Sequence, residues 1–204
     1  MRLDAPYKIL DLEPLPETLA FDFSTMWTDT RDLWYVEHES DKEQICVFDV
    51  AHLPKETKNL FRTGRYTETT RQREAMNAFD VIRQELEYKN VNHPAAVLAK
   101  KEAQRLSELY GAGVKSVHFV CLPPGTVISR HIDATVFHTW CHRVHLPVVT
   151  DPNVCFEIDG EDNYFPRGKF FEFDNKRMHS VQNYSDNIRI HLVVDLLPNM
   201  DEVI

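Results

Sequence analysis

The tripeptide His131-Ile132-Asp133 is followed by His179 after 48 positions and by Arg189 ten positions later. Two imidazoles and one carboxylate can bind one face of a ferrous ion and leave the opposite face open. Three open positions are enough for a 2-oxo acid bound through two atoms and for dioxygen. Alternate residues of a strand point to the same face. His131 and Asp133 therefore project together if the strand begun at Thr126 runs through both, and His179 must then arrive from a distant strand. The tripeptide alone is a weak signal, because ten histidines in 204 residues produce one readily by chance. Structural zinc would want four protein ligands, usually with cysteine among them. Cys46, Cys121, Cys141 and Cys155 lack that spacing.

A co-substrate with a second carboxylate needs a buried cation able to grip it at two points, a role suited to arginine more than lysine. Arg189 opens the apolar run Ile190–Leu197, where a bare charge is costly without a partner. Arg143 and His145 alternate with Val144 and Leu146 and face one way, so they are further candidates for holding carboxylates. Arg143 has a plainer reading as the partner of Asp174 or Glu172. For His145 and His191 the plainer reading is a hydrogen-bonded core histidine, and for His118 it is the favoured one. His138, Trp140 and His142 suit either the mouth of a site or an exposed turn.

The elements that must position these residues change character along the chain. Residues 1–44 carry three prolines and no sustained periodicity, and read as irregular with short elements. Ile45–Val50 reads as a strand and the polar stretch 54–70 as a loop, either a lid or a plain connection. Ala75, Phe79, Ile82 and Leu86 make one apolar stripe and predict a helix over Gln72–Tyr88. A second helix should start at Pro94 and stop at Gly111, since proline suits the first turn and glycine the C-terminal cap. From Lys115 onward, strand-like runs at Val117–Leu122, Val127–Ile132, Val144–Val149, Cys155–Ile158, Lys169–Phe173, His179–Gln182 and Ile190–Leu197 are separated by turn residues. Seven short strands at this spacing predict a sandwich or jelly roll. The expected architecture is mainly β with flanking helices packed on one side of a C-terminal double-stranded β-helix.

The 204 residues fit one domain, with 1–111 as irregular and helical support and 112–198 as the catalytic core. A net charge of -9 and a pI near 5.5 argue against nucleic acid or an anionic membrane as the main partner. Residues 1–43 hold eleven acids against four bases, which reads as a solvated acidic surface. The absence of a signal sequence, a membrane-spanning run and paired cysteines predicts a cytoplasmic protein.

Three segments, PPGTVISRHIDATVFHTWCHRVHLPVV, GEDNYFPRGKFFEFDNKRMHSVQNYS and RIHLVVDLL, together resemble the aspartyl/asparaginyl β-hydroxylase family, which also contains bacterial free-proline hydroxylases. The resemblance spans roughly residues 112–198. It implies a double-stranded, cupin-like β-helix that uses Fe(II), 2-oxoglutarate and O2. It implies His131, Asp133 and His179 as iron ligands and catalytic centre, and Arg189 as the anchor for the distal carboxylate of 2-oxoglutarate. Arg143 and His145 match positions near the co-substrate or substrate carboxylate. Animal peptide hydroxylases of the family have glycine where this chain has Asp133, so the chain looks more like the small-molecule branch. The expected substrate is an amino acid or amino-acid-like small molecule. The alternatives are a peptide hydroxylated on Asp or Asn and a non-catalytic cupin-like binding module.

Overall fold

The computed structural model describes residues 3–16, 34–37, 42–49, 94–133 and 141–198, with backbone alone for 34–37 and 42–49. The predicted loop over 54–70 and the helix predicted over Gln72–Tyr88 lie outside the described residues. The elements are β1 (Tyr7–Ile9), β2 (Trp34–Glu37), β3 (Lys42–Asp49), α1 (Pro94–Tyr110), β4 (Ala112–Leu122), β5 (Val127–His131), β6 (His142–Val149), β7 (Val154–Ile158), β8 (Glu161–Asn163), β9 (Phe171–Phe173), β10 (His179–Asn183) and β11 (Arg189–Pro198).

They form two sheets, a larger one in the order β1-β9-β6-β11-β4-β3-β2 and a smaller one in the order β5-β10-β7-β8. From β4 onward the chain passes back and forth between them, apart from the β7–β8 hairpin. This alternation is the topology of a double-stranded β-helix, as the spacing of strand-like runs predicts. All the strand pairings within it among the described residues are antiparallel. The β7–β8 turn is Asp159-Gly160, with φ of 53° and 89°. Positive φ at both central residues is what a two-residue hairpin turn demands.

Sequence reading missed β1, β2 and β8. Each is three or four residues long, too short to display a period. In the N-terminal region, β1 extends one edge of the larger sheet and β2 and β3 extend the other.

The two faces of the larger sheet have different chemistry. Val117, Phe119 and Cys121 of β4, Val144, Leu146 and Val148 of β6, and Ile190, Leu192, Val194 and Leu196 of β11 form an apolar core. The helix α1 joins this core through Ala95, Ala99, Ala103 and Leu106. These recur at spacings of four, four and three, and the alanines let the helix lie close on the sheet. The helix begins at Pro94 as expected, and Gly111 at φ 59° takes the left-handed cap position that a Cβ would strain. A separate core fills the space between the sheets, with Leu122, Val154, Phe156, Ile158, Phe165, Phe171, Phe173 and Val181. No helix among the described residues is long and apolar enough to cross a membrane.

Glu172 of β9 ties four elements on the helix side. Its carboxylate accepts hydrogen bonds from Tyr110 of α1 at 2.8 Å and His142 of β6 at 2.6 Å, and pairs with Lys8 of β1 at 2.7 Å. Burial pushes the Glu172 carboxyl up, but its bonds to His142, Lys8 and Tyr110 outweigh that and leave its pKa below the ordinary value. Its stabilising contribution is therefore full above the unfolded-state pKa of roughly 4.3 and is lost as pH falls through the lower folded value. Glu172→Ala strands a buried phenol and imidazole and should cost about 3 kcal/mol, read as a lower urea midpoint at pH 7. That deficit should shrink toward pH 3.

Candidate metal centre

Strands β5 and β10 lie antiparallel, and His131 stands directly opposite His179. Ile128 points inward, packed against the core between the sheets. Simple alternation from Ile128 would turn Arg130 inward and His131 out. The ladder shifts register here: Val181 pairs with Ile128 and His179 with His131, so two steps on β10 span three on β5. This β-bulge restores His131 to the inner face. Arg130 instead points outward, reaching Glu157 at 3.0 Å. The expectation that one strand carries both His131 and Asp133 is thus corrected. β5 ends at His131, and Asp133 follows it, held by its N–H donating to the Asn175 carbonyl at 2.9 Å.

The ligand atoms of His131, Asp133 and His179 all lie within 4.8 Å of one another. His131 Nδ1 is 2.7 Å from the Ser129 carbonyl, and His179 Nδ1 is 2.9 Å from that of Arg177. A carbonyl oxygen only accepts, so in each ring Nδ1 carries the proton and Nε2 has the free lone pair. A carbonyl accepting from the far ring nitrogen fixes a histidine ligand's tautomer and ring direction. His131 Nε2 stands 3.7 Å from Asp133 Oδ1. Burial lowers the His179 pKa, opposed by the Arg177 carbonyl and Asp133, which favours the neutral, metal-competent imidazole.

Arg143 lies beside this group. Its Nη1 donates to Asp133 Oδ2 at 2.5 Å, while Nε and Nη2 grip Asp195 at 2.7 and 2.9 Å. Sequence reading offered Arg143 as a holder of a ligand carboxylate or as the partner of Asp174 or Glu172. The structure instead has it bridging two other carboxylates. Asp195 was not singled out in the sequence, although it lies on the same alternating face of β11 as Arg189 and His191.

Arg189 and His191 form a second polar cluster in the interior with His145. Arg189 is 2% exposed, and its Nη2 donates to His191 Nδ1 at 2.6 Å. His191 Nδ1 must then be an acceptor, so its ring proton sits on Nε2. His145 Nδ1, 3.3 Å from that same atom, is oriented as a donor, which leaves the His145 Nε2 lone pair free. Burial, followed by the nearby guanidinium, drives both imidazoles well below their ordinary pKa and keeps them neutral. Arg189 Nε, His191 Nε2 and His145 Nε2 are buried without a hydrogen-bond partner among the described residues. Burial pulls the Arg189 pKa down to about 9, opposed only by Cys121. No carboxylate among the described residues answers this charge.

The two clusters share an aromatic wall. Phe173 lies 4.9 Å from the His179 ring and 5.3 Å from that of His145, and Phe156 also contacts both rings. The His131 side chain on this inner face keeps 41% of its surface exposed, so the ligand cluster opens to solvent here. The barrel therefore has a polar open end and a buried cationic end joined along its interior.

A mainly β, double-stranded β-helix with two histidines and one aspartate gathered at its mouth defines the structural class. The family described as aspartyl/asparaginyl beta-hydroxylase matches residues 49–198. The chain belongs to that family. Among solved structures, a 2OG-Fe(II) oxygenase family oxidoreductase from Burkholderia pseudomallei is similar at 13% identity and TM-score 0.47, over 94% of this chain and 84% of that one. A Pseudomonas putida prolyl-4-hydroxylase is similar at 12% identity and TM-score 0.44, over 87% and 84%. A predicted oxalate decarboxylase from Thermotoga maritima matches at 20% identity and TM-score 0.32, over 48% and 73%. No curated protein matches.

Proposed function

We propose that this protein is an Fe(II)- and 2-oxoglutarate-dependent hydroxylase of a free amino acid or a similarly small amino-acid-like molecule. The observation that carries the reading is the pairing, along one barrel interior, of a three-ligand cluster with a buried guanidinium that has no carboxylate partner among the described residues. His131, Asp133 and His179 would hold the iron, each histidine through Nε2. Arg189 would take the distal carboxylate of the co-substrate, since a buried cation with an unmet N–H is stabilised by a charge-assisted bond to an anion. The His191 Nε2 proton adds a neutral donor nearby. The bound metal and 2-oxo acid supply the oxidising power with dioxygen, and the protein supplies geometry, charge and exclusion of water. Phe156 and Phe173 keep the space between the two clusters apolar. Asp133 supports the small-molecule reading, because the animal peptide hydroxylases of the family have glycine there and the chain looks more like the bacterial small-molecule branch.

The test has two stages. Anaerobic mixing with Fe(II) and 2-oxoglutarate should produce a weak visible absorption band that neither component gives alone. A screen of free amino acids and short peptides should then find a free amino acid that stimulates succinate release. Stimulation by peptides alone would move the substrate to peptidyl Asp or Asn. No band and no succinate with any substrate would leave a non-catalytic cupin-like module.

A further inference from the structure

We propose that Arg143 and Asp195 are a positioning pair that aims Asp133, so that it presents Oδ1 to the metal while Oδ2 is held by the protein. The inference rests on the metal-centre reading above and adds two residues to it. Asp133 lies beyond the end of β5, where no strand ladder fixes its direction. Its Oδ2 is taken by Arg143 Nη1, while Oδ1 stands 3.7 Å from His131 Nε2. Oδ1 is thus the oxygen on the side of the ligand cluster.

Arg143 can do this because it is itself held. It stands directly across from Asp195 in the β6–β11 ladder, and its Nε and Nη2 bind both oxygens of that carboxylate. Asp195 is 2% exposed and also accepts from Ser116 Oγ at 2.9 Å. Lys115 Nζ lies 4.0 Å from the same group. A structural ion pair would need only the two-point grip between Arg143 and Asp195. The third arm, onto Asp133, is what gives the pair a bearing on the site. A planar guanidinium can grip one carboxylate at two points and hold a second with its remaining nitrogen, a fork that the single nitrogen of an ammonium does not offer. Asp195 has an electrostatic part as well. It cancels the arginine's charge, so the group that orients Asp133 does not repel the dication Asp133 would bind.

Binding of Mn(II) alone, measured by calorimetry on the full chain, tests this without turnover. Arg143→Lys keeps the charge and loses the fork, while Asp195→Asn loses the counter-charge. Each should weaken Mn(II) binding roughly 10- to 100-fold, the range typical for loss of a group that holds a metal ligand in place. A folded variant of either kind that binds Mn(II) within about twofold of the wild type would overturn the inference, whatever its melting temperature. If both variants fail to fold, Ser116→Ala removes one hydroxyl from Asp195 and should weaken Mn(II) binding a few-fold. Unchanged affinity there overturns the inference equally. A wild type that takes up no Mn(II), or takes it up as well after His179→Ala, would sink the metal-centre reading and this inference with it. Variants that match a metal-binding wild type would sink the inference alone.

Discussion

His179→Ala is expected to take substrate-driven succinate release to background and metal binding down with it. The loss should exceed the roughly 100-fold that marks removal of an outer-shell partner, because a coordinating atom itself goes. His179 is 4% exposed and stands across the ladder from His131. The fold should survive. The substitution leaves the Nδ1 bond to the Arg177 carbonyl unmade, but that carbonyl is at the rim and can turn to water. Circular dichroism and the thermal midpoint of the apo-protein should therefore stay near wild type while Mn(II) or Fe(II) titration goes flat. Retention of full succinate formation by this variant would refute the ligand assignment.

The second large effect concerns Arg189 and has two opposite signs. Arg189→Met keeps most of the buried stem and removes a charge that no described carboxylate answers. Leaving such a charge buried is costly, so the apo-variant should be more stable than wild type, on the order of 1 kcal/mol or more. His191 Nδ1 loses its donor but keeps the His145 Nδ1 contact. The requirement for 2-oxoglutarate should move the other way. A lost charge-assisted bond is worth about 1.5–3 kcal/mol, so the 2-oxoglutarate KM should rise roughly ten- to a hundredfold. Thermal shift shows both signs in one experiment: a higher midpoint without ligand, and a much smaller increase when 2-oxoglutarate and Mn(II) are added. A lower apo midpoint together with an unchanged KM would mean that Arg189 is a structural residue.

The strands of the barrel were legible because their hydrophobic runs are bounded by strong turn residues, such as Pro123-Pro124-Gly125 and Asp159-Gly160. The helix over Pro94–Tyr110 was legible because proline and glycine mark its ends and the apolar stripe between them has helical spacing. His131, Asp133 and His179 were named together from residue type and spacing. The route by which they meet was not visible, because the alternation argument assumed a regular strand and the β5 bulge changes its phase. Arg143 showed the limit of a local pattern. Its inward direction followed from alternation in β6, but its partners depend on which strand lies alongside, and only the register puts Asp195 opposite it. The orphaned state of Arg189 was inaccessible for the same reason, since a missing counter-ion is a property of the assembled interior.

The larger sheet keeps the main apolar core on its helix side and the ligand and Arg189 clusters on its inner side, with both faces written into the same strands. In β11, Ile190, Leu192 and Val194 serve the one, and Arg189, His191 and Asp195 the other. Robustness and reactivity thus occupy separate sets of sequence positions. A lineage could harden this scaffold against heat by changes beneath the helix while the reacting interior kept every atom, or drift to a new substrate without loosening the fold.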